Sequence, residues 1–288
     1  MHPGMFAAAL AYVIWGVFPL YFHHLADVPP LEMVLHRSVW SLVFVMGVLA
    51  WQRRWRWLLD VVKQPRVLAT FAASTTFLSA NWLLYVWAVQ QGRVVEASLG
   101  YFINPLFNVL LGVLVLGERP RPLQWLAVAI AAAGVLWLGW QAGAPPWISL
   151  GLAASFGLYG LLRKTATLGA LEGLALETLM LAPLAVPALL WAGLHGGSVA
   201  TADAPRWLWL VAAGPLTAVP LLLFAFGARR VTLATLGLLQ YLGPSIQFGL
   251  GVWVFHEALS TTRLVGFGLI WAALALYSFE SLRAMRQR

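Results

Sequence analysis

The sequence predicts an all-α membrane protein: ten transmembrane helices, arranged as two inverted five-helix repeats around a central cavity. Three observations carry this expectation. The 288 residues are 61% hydrophobic and only 10% charged, where an ordinary soluble domain holds roughly 25% charged residues. Apolar runs long enough to cross a bilayer follow one another with short connections. The second half of the chain repeats short motifs of the first half in the same order.

With a mean hydropathy of +0.81, there is too little polar surface to cover a water-facing body, so lipid must be the main solvent. A net charge of +8 would suggest nucleic acid in a soluble protein. Here the basic residues sit in short loops between apolar runs, where they orient spans, so nucleic acid is not expected as a partner. The chain has no cysteine, which excludes disulfides and thiolate metal sites. Met1-His2-Pro3-Gly4 lacks the charged region of a signal peptide, so the first apolar run reads as a retained span.

A span needs about 20 mostly apolar residues for a core of about 30 Å. Such runs fall at 4–22, 31–51, 67–89, 94–116, 122–140, 147–163, 171–193, 207–227, 231–254 and 263–282. Lys and Arg concentrate on one side. Arg53, Arg54, Arg56, Lys63 and Arg66 follow the second span. Arg119 and Arg121 follow the fourth, Arg163 and Lys164 the sixth, Arg229 and Arg230 the eighth, and Arg283, Arg286 and Arg288 the tenth. The opposite loops hold Arg93, Arg206 and Arg263. This bias predicts a multi-pass protein of the bacterial inner membrane with both termini cytoplasmic.

The repeat joins 3–141 to 144–283. Leu111-Gly-Val-Leu-Val-Leu-Gly-Glu118 parallels Leu250-Gly-Val-Trp-Val-Phe-His-Glu257, and Ala97-Ser-Leu-Gly100 parallels Ala234-Thr-Leu-Gly237. Gly92-Arg93-Val94, Leu31-Glu32 and Trp15-Gly16 have counterparts in Arg229-Arg230-Val231, Leu171-Glu172 and Tyr159-Gly160. Each half has five spans, so the second enters the bilayer from the opposite side. Many alternating-access transporters are built this way, with the substrate site near midplane between the repeats. The fifth and tenth spans have no ionisable residue at their middles and are rich in Ala and Gly, as in Ala131-Ala-Ala-Gly134. They are expected to be peripheral, packing on neighbours or on a second copy in a weak homodimer, or in a monomer.

Charges within spans cost at least about 2.5–3.5 kcal/mol, so each needs a partner, water or a purpose. The second span holds His36 and Arg37 and the seventh holds Glu177. The repeat sets Arg37 opposite Glu177, but their backbones differ in depth by roughly 12 Å. Arg37 is expected to pair instead with Glu96, and Glu177 with Arg163 or Arg230. These groups are the candidates for coupling or gating, set against static pairs that only pin helices.

The fourth span carries Glu96, Gly100, Asn104 and Asn108 on one face, with Pro105 freeing a carbonyl. The ninth mirrors it with Gln240, Pro244, Gln247 and Gly251. Paired interruptions point to a transport site, although Asn and Gln also serve as glue between spans. Asn81, Trp82 and Tyr85 add a face of the third span. Tyr12, Trp15, Tyr101, Tyr159 and Tyr241 add aromatics at corresponding places. Trp51, Trp55, Trp57, Trp140, Trp147 and Trp207 flank spans, as an interfacial belt does. HExxH, GxSxG and Walker patterns are missing from the sequence, so no metal, cofactor or nucleotide is expected.

Several stretches resemble the RarD-type members of the drug/metabolite transporter (EamA-like) superfamily. They include Tyr12-Val-Ile-Trp15-Gly16, Glu32 through His36-Arg37, Asn81-Trp-Leu-Leu84, Trp87-Ala-Val89, Glu96 through Pro105, Gly117-Glu118 and Gln240-Tyr241. The resemblance spans essentially the whole chain. It implies ten helices, a central cavity from spans one to four and six to nine, and peripheral fifth and tenth helices. The function expected is secondary transport of a small polar or zwitterionic solute: an amino acid, an aromatic metabolite or a drug-like compound such as chloramphenicol. Arg37 would receive a carboxylate, and Glu96 or Glu177 an ammonium group or a coupling proton. Trp15, Asn81, Trp82, Tyr85, Tyr101, Asn104, Tyr159, Gln240 and Tyr241 would complete the binding site. A non-transporting sensor or scaffold, and an intramembrane enzyme using His36, are the alternatives.

Overall fold

The structure, a computed structural model, describes residues 2–25, 27–53, 55–90, 94–142, 147–254 and 261–286. It is built of helices, with no strand among the described residues. Backbone polar groups in lipid must be satisfied within the segment, and a helix does this.

Pro and Gly punctuate the chain. Pro3 opens α1 (Pro3–Gly16), where His2 accepts from the Gly4 N–H at 3.2 Å. The first apolar run then divides, and α2 (Phe18–His23) continues it beyond Val17. Pro30 opens α3 (Pro30–Trp51), and α4 (Arg56–Val62) is a short helix in the basic loop. Pro65 opens α5 (Pro65–Gln90), followed by α6 (Val94–Leu116), which runs through Pro105. Gly117 ends α6 at φ +65°, and the Glu118 N–H returns to Gly112 O at 2.9 Å in a Schellman-type close.

Next come α7 (Pro122–Ala142), α8 (Trp147–Thr165), α9 (Ala170–Leu194) and the one-turn α10 (Ser198–Thr201). Asp203 caps α11 (Ala204–Ala228) at the Arg206 N–H. Thr232 caps α12 (Leu233–Gln240), which breaks at Tyr241 just ahead of Pro244. The chain then continues as α13 (Leu242–Trp253) and α14 (Thr261–Arg286). Among the described residues, six helices are long and apolar enough to cross a membrane: Pro3–His23, Pro30–Trp51, Pro65–Tyr85, Pro122–Trp140, Ala170–Leu194 and Ala204–Ala228.

The helices pack in matched sets. α6 packs on α8, as α12 and α13 pack on α1; α5 packs on α8, as α11 packs on α1. α3 meets α11, as α9 meets α5, and α3 also meets α9 directly. α7 and α14 lie against each other and form their own apolar cluster with α6 and α12. Small residues make that approach possible: a Cβ on Gly134 would meet Gly266 O at 3.0 Å. Arg121 and Glu280 pair at one end of the two helices, at 3.3 Å.

Candidate functional site

α3, α5, α9 and α11 enclose a cavity with room for roughly one water molecule. Helical spacing puts its lining together. Ser38 and Ser41 share a face of α3, Thr75, Ser79 and Trp82 a face of α5, and Glu177, Thr178 and Leu181 a face of α9. Thr217 and Leu221 close it from α11. Several hydroxyls donate to backbone: Ser38 to Val34 O at 2.8 Å, Thr178 to Leu174 O at 2.9 Å, and Ser41 across to Gly214 O at 3.2 Å. Sequence reasoning missed this hydroxyl lining. One Ser or Thr in a helix commonly bonds its own backbone, and only convergence from four helices gives these a shared surface.

Glu177 lines one end of the cavity. Its Oε1 accepts from Ser74 Oγ at 2.5 Å and lies 3.7 Å from Arg163 Nη1. Both charged side chains are closed off, with 1% of Arg163 and 3% of Glu177 exposed. Arg163 Nη2 donates to Ala170 O at 3.0 Å, and the guanidinium stands over Phe71 at 5.4 Å. Gly173 makes room for it, since a Cβ there would collide with the guanidinium. Of the two partners expected for Glu177, the geometry selects Arg163. Arg230 is exposed, lies over Phe226 at 3.5 Å and donates to Phe226 O. Glu177 Oε2 has no hydrogen-bond partner among the described residues.

Arg37 sits behind the opposite wall. Its Nε donates to Thr217 Oγ1 at 2.9 Å, and its guanidinium lies 5.0 Å from the Trp82 ring. Thr217 and Trp82 both line the cavity, so they separate Arg37 from it. Phe18 and Phe22 stand at 5.8 and 5.9 Å, and the Tyr21, Tyr85 and Tyr101 hydroxyls are within electrostatic reach. Tyr85 and Tyr101 meet edge to face at 5.8 Å. The expected Arg37–Glu96 pairing lies outside the described residues.

Other residues expected at the cavity are placed elsewhere. Asn81 Nδ2 donates to Leu152 O and Ser155 Oγ, both at 3.0 Å, joining α5 to α8. Asn104 donates to Ala153 O at 2.8 Å, and Asn108 donates to Asn104 Oδ1 and to Gln240 Oε1. Tyr241 donates to Phe102 O at 3.1 Å. All of these side chains are buried. An amide in an apolar bundle takes the partner a neighbouring element presents: for Asn81 and Asn104 it is the second lone pair of an α8 backbone carbonyl, and for Asn108 the amide oxygens of Asn104 and Gln240. Trp15, Tyr12 and Tyr159 form an aromatic cluster with Phe156 and Phe224, in which Tyr159 stacks on Phe224 at 5.8 Å. His36 faces away from the cavity, with Nε2 at 3.0 Å from Ser198 Oγ.

Both ends of the bundle are tied. At one end Tyr21 donates to Trp209 O at 2.7 Å, His24 stacks on Trp209, and Arg206 pairs with Asp27. At the other, the Glu118 carboxylate accepts from the Leu233 and Ala234 N–H groups at 2.8 and 3.2 Å. Lys164 lies 4.0 Å from that carboxylate and donates to Ala228 O and Val231 O.

A sequence model of the EamA-like transporter family matches residues 2–140. An uncharacterized transporter of Pseudomonas aeruginosa is 48% identical over 279 residues, covering 96% of this chain and 93% of that protein. Protein RarD of Escherichia coli is 41% identical over 286 residues, 99% of this chain and 96% of its own length. A chloramphenicol-sensitive protein RarD of Pseudomonas aeruginosa is 34% identical over 290 residues, 99% and 96% of the two chains. A crystal structure at 20% identity superposes with a TM-score of 0.72, covering 95% of this chain and 96% of that one. At that identity it speaks to fold alone.

Proposed function

Because the chain belongs to the EamA-like transporter family, with RarD-named relatives along nearly its whole length, we propose that it is a secondary transporter of a small polar or zwitterionic organic solute. The observation that carries the proposal is the cavity between α3, α5, α9 and α11. It is lined by hydroxyls, has the Glu177 carboxylate at one end, and has Arg37 behind Trp82 and Thr217 at the other. A carboxylate-bearing solute would engage Arg37, and an ammonium or hydroxyl group would engage Glu177 Oε2.

The mechanism is alternating access by ten spans in two inverted repeats, 3–141 and 144–283, with both termini cytoplasmic. The matched packing of α6 on α8 and of α12 and α13 on α1 supports this reading. So does the tying of both ends of the bundle, as a closed state of such a cycle would have. The cavity in that state holds about one water. A solute therefore enters only when α3 and α5 part from α9 and α11 on one side. One relative is named for chloramphenicol sensitivity, which adds that compound to amino acids and aromatic metabolites as cargo worth testing.

The test is a thermal-shift screen of purified protein against these classes, followed by flux of each hit into proteoliposomes. Saturable flux, lost in Arg37→Gln, is expected. Binding without flux would overturn the transport reading in favour of a sensor.

A further inference from the structure

A hydrogen-bonded chain outside the cavity has its own chemistry. Trp40 Nε1 lies 3.2 Å from His36 Nδ1, one turn along α3. The indole nitrogen can only donate, so Nδ1 must accept, and neutral His36 carries its proton on Nε2. That N–H donates to Ser198 Oγ at 3.0 Å. The Ser198 hydroxyl donates in turn to Glu32 Oε2 at 2.6 Å, and the Ser198 backbone N–H donates to the same oxygen at 2.7 Å. His36 is fully buried, and Ser198 nearly so. Every donor in the chain therefore has a fixed direction, set at one end by an indole and at the other by a carboxylate.

We propose that His36 is the site of a coupling proton, with Glu32 acting through Ser198 and Trp40 acting directly as the residues that position it. The proposal rests on the transporter reading above. When Nδ1 takes a proton from the aqueous phase at this end of α3, it forms an N–H bond and loses the lone pair that Trp40 uses. Protonation of His36 and the Trp40 hydrogen bond exclude each other. The resulting imidazolium is held by Glu32, whose charge reaches it through the Ser198 hydroxyl.

Released Trp40 matters because its ring meets Trp207 of α11 edge to face at 6.3 Å. Its backbone also packs against Gly214 of the same helix, where a Cβ would collide with the Trp40 carbonyl. The next residue, Ser41, both lines the cavity and donates to Gly214 O. A proton on His36 thus loosens the α3–α11 seam beside the cavity.

The groups around His36 fit a single titration. On α3, Glu32 faces it through Ser198, while Arg37 turns to Thr217 and Trp82. From α11, Trp207 presents its ring at 6.3 Å. Near the start of that helix, Asp203 accepts from the Arg206 N–H, and the Arg206 side chain pairs with Asp27. His195, beyond α9, bonds to Trp191 O at 2.8 Å. The acidic residues of α9, Glu172 and Glu177, lie in its first third, away from His195, and Arg66 lies at the start of α5.

The test is nitrogen NMR of histidine-labelled and tryptophan-labelled protein in lipid nanodiscs, without any solute. His36→Gln identifies the His36 signals among six histidines, and Trp40→Phe identifies the Trp40 indole. The expected result is an Nε2–H tautomer at high pH, with the Trp40 indole signal moving at the same midpoint as His36 on acidification. Trp40→Phe removes a bond made only by the neutral ring, so the midpoint rises by about half a pH unit or more. Glu32→Gln removes a charge that favours the imidazolium, so the midpoint falls. An Nδ1–H tautomer, an indifferent indole signal or a shared direction of shift would each overturn the proposal. The pH profile of flux should move with the same variants. A fixed profile would refute the coupling role while leaving the transporter reading intact, and absence of any flux would strike at that reading instead.

Discussion

Glu177 of α9 and Arg163 of α8 form an ion pair of 3.7 Å, with almost no surface of either side chain exposed. Two charges removed from water attract strongly, but each carries a large desolvation penalty. The pair is held from several sides: Ser74 donates to the carboxylate, Ala170 O accepts from the guanidinium, and Phe71 covers it.

Breaking that pair from one side leaves a buried charge without its counterion. Glu177→Gln and Arg163→Met should each lower stability by about 3–5 kcal/mol. The double variant should recover part of the loss. Thermal unfolding in detergent checks this, and single variants melting at the wild-type temperature would exclude a mutual hold.

At the other wall, Arg37 combines a hydrogen bond from Nε to Thr217 with a ring contact on Trp82. Lysine has a point charge and no planar fork. Arg37→Lys should therefore raise the KM for an anionic or zwitterionic cargo by about threefold to thirtyfold. A KM series over solutes with and without a carboxylate measures it. Equal effects on both kinds would show that Arg37 does not read the carboxylate.

The amides of α6 behave as interhelical bonds. Asn104→Ala and Asn108→Ala should each cost about 0.6–1.7 kcal/mol of stability and leave KM nearly unchanged. Denaturation curves and flux kinetics on the same variants separate the two roles. Wild-type stability with a raised KM would return these residues to the cargo site.

Close helix contact makes a sharper demand at Gly237, where a Cβ would lie 2.6 Å from Pro105 O. Gly237→Ala should destabilise by about 1–3 kcal/mol through overpacking. Gly47, inside α3, has nothing within 4 Å of its Cβ position, so Gly47→Ala should stabilise by about 0.5–1 kcal/mol, the cost of a glycine in a helix interior. The difference in melting temperature between the two variants is the readout.

The absence of cysteine from the chain gives a clean background for topology. Lys63→Cys should react with a membrane-impermeant maleimide only from the cytoplasmic side, and Thr201→Cys only from the outside. Labelling of intact cells against inverted vesicles decides it. Reaction of both from one face would contradict the inverted arrangement.

Helices were legible in the sequence because lipid leaves the backbone few other choices. The breaks were less so. Pro105 lies within a continuous α6, whereas its counterpart Pro244 follows a break at Tyr241. A proline removes one donor in either setting, and the packing around it decides whether the helix bends or stops. At the site, a depth argument kept Arg37 apart from Glu177 and left Arg163 or Arg230 as partners for Glu177. Only the fold chose Arg163, because Gly173 opens space on that side.

From the sequence alone came a helical membrane protein that resembles a transporter family, short motifs recurring in its second half, and the rare intramembrane charges that needed an explanation. The helices and the charges follow from composition and period, which are local, and the family from resemblance to known sequences along the chain. The tertiary structure decided which polar side chains share a cavity, which ones bond helix to helix, and that His36 joins Ser198 and Glu32 instead of the cavity. A polar side chain in a bundle goes to whichever partner the neighbouring helix presents, and the rotation of that neighbour is set by packing along its whole length.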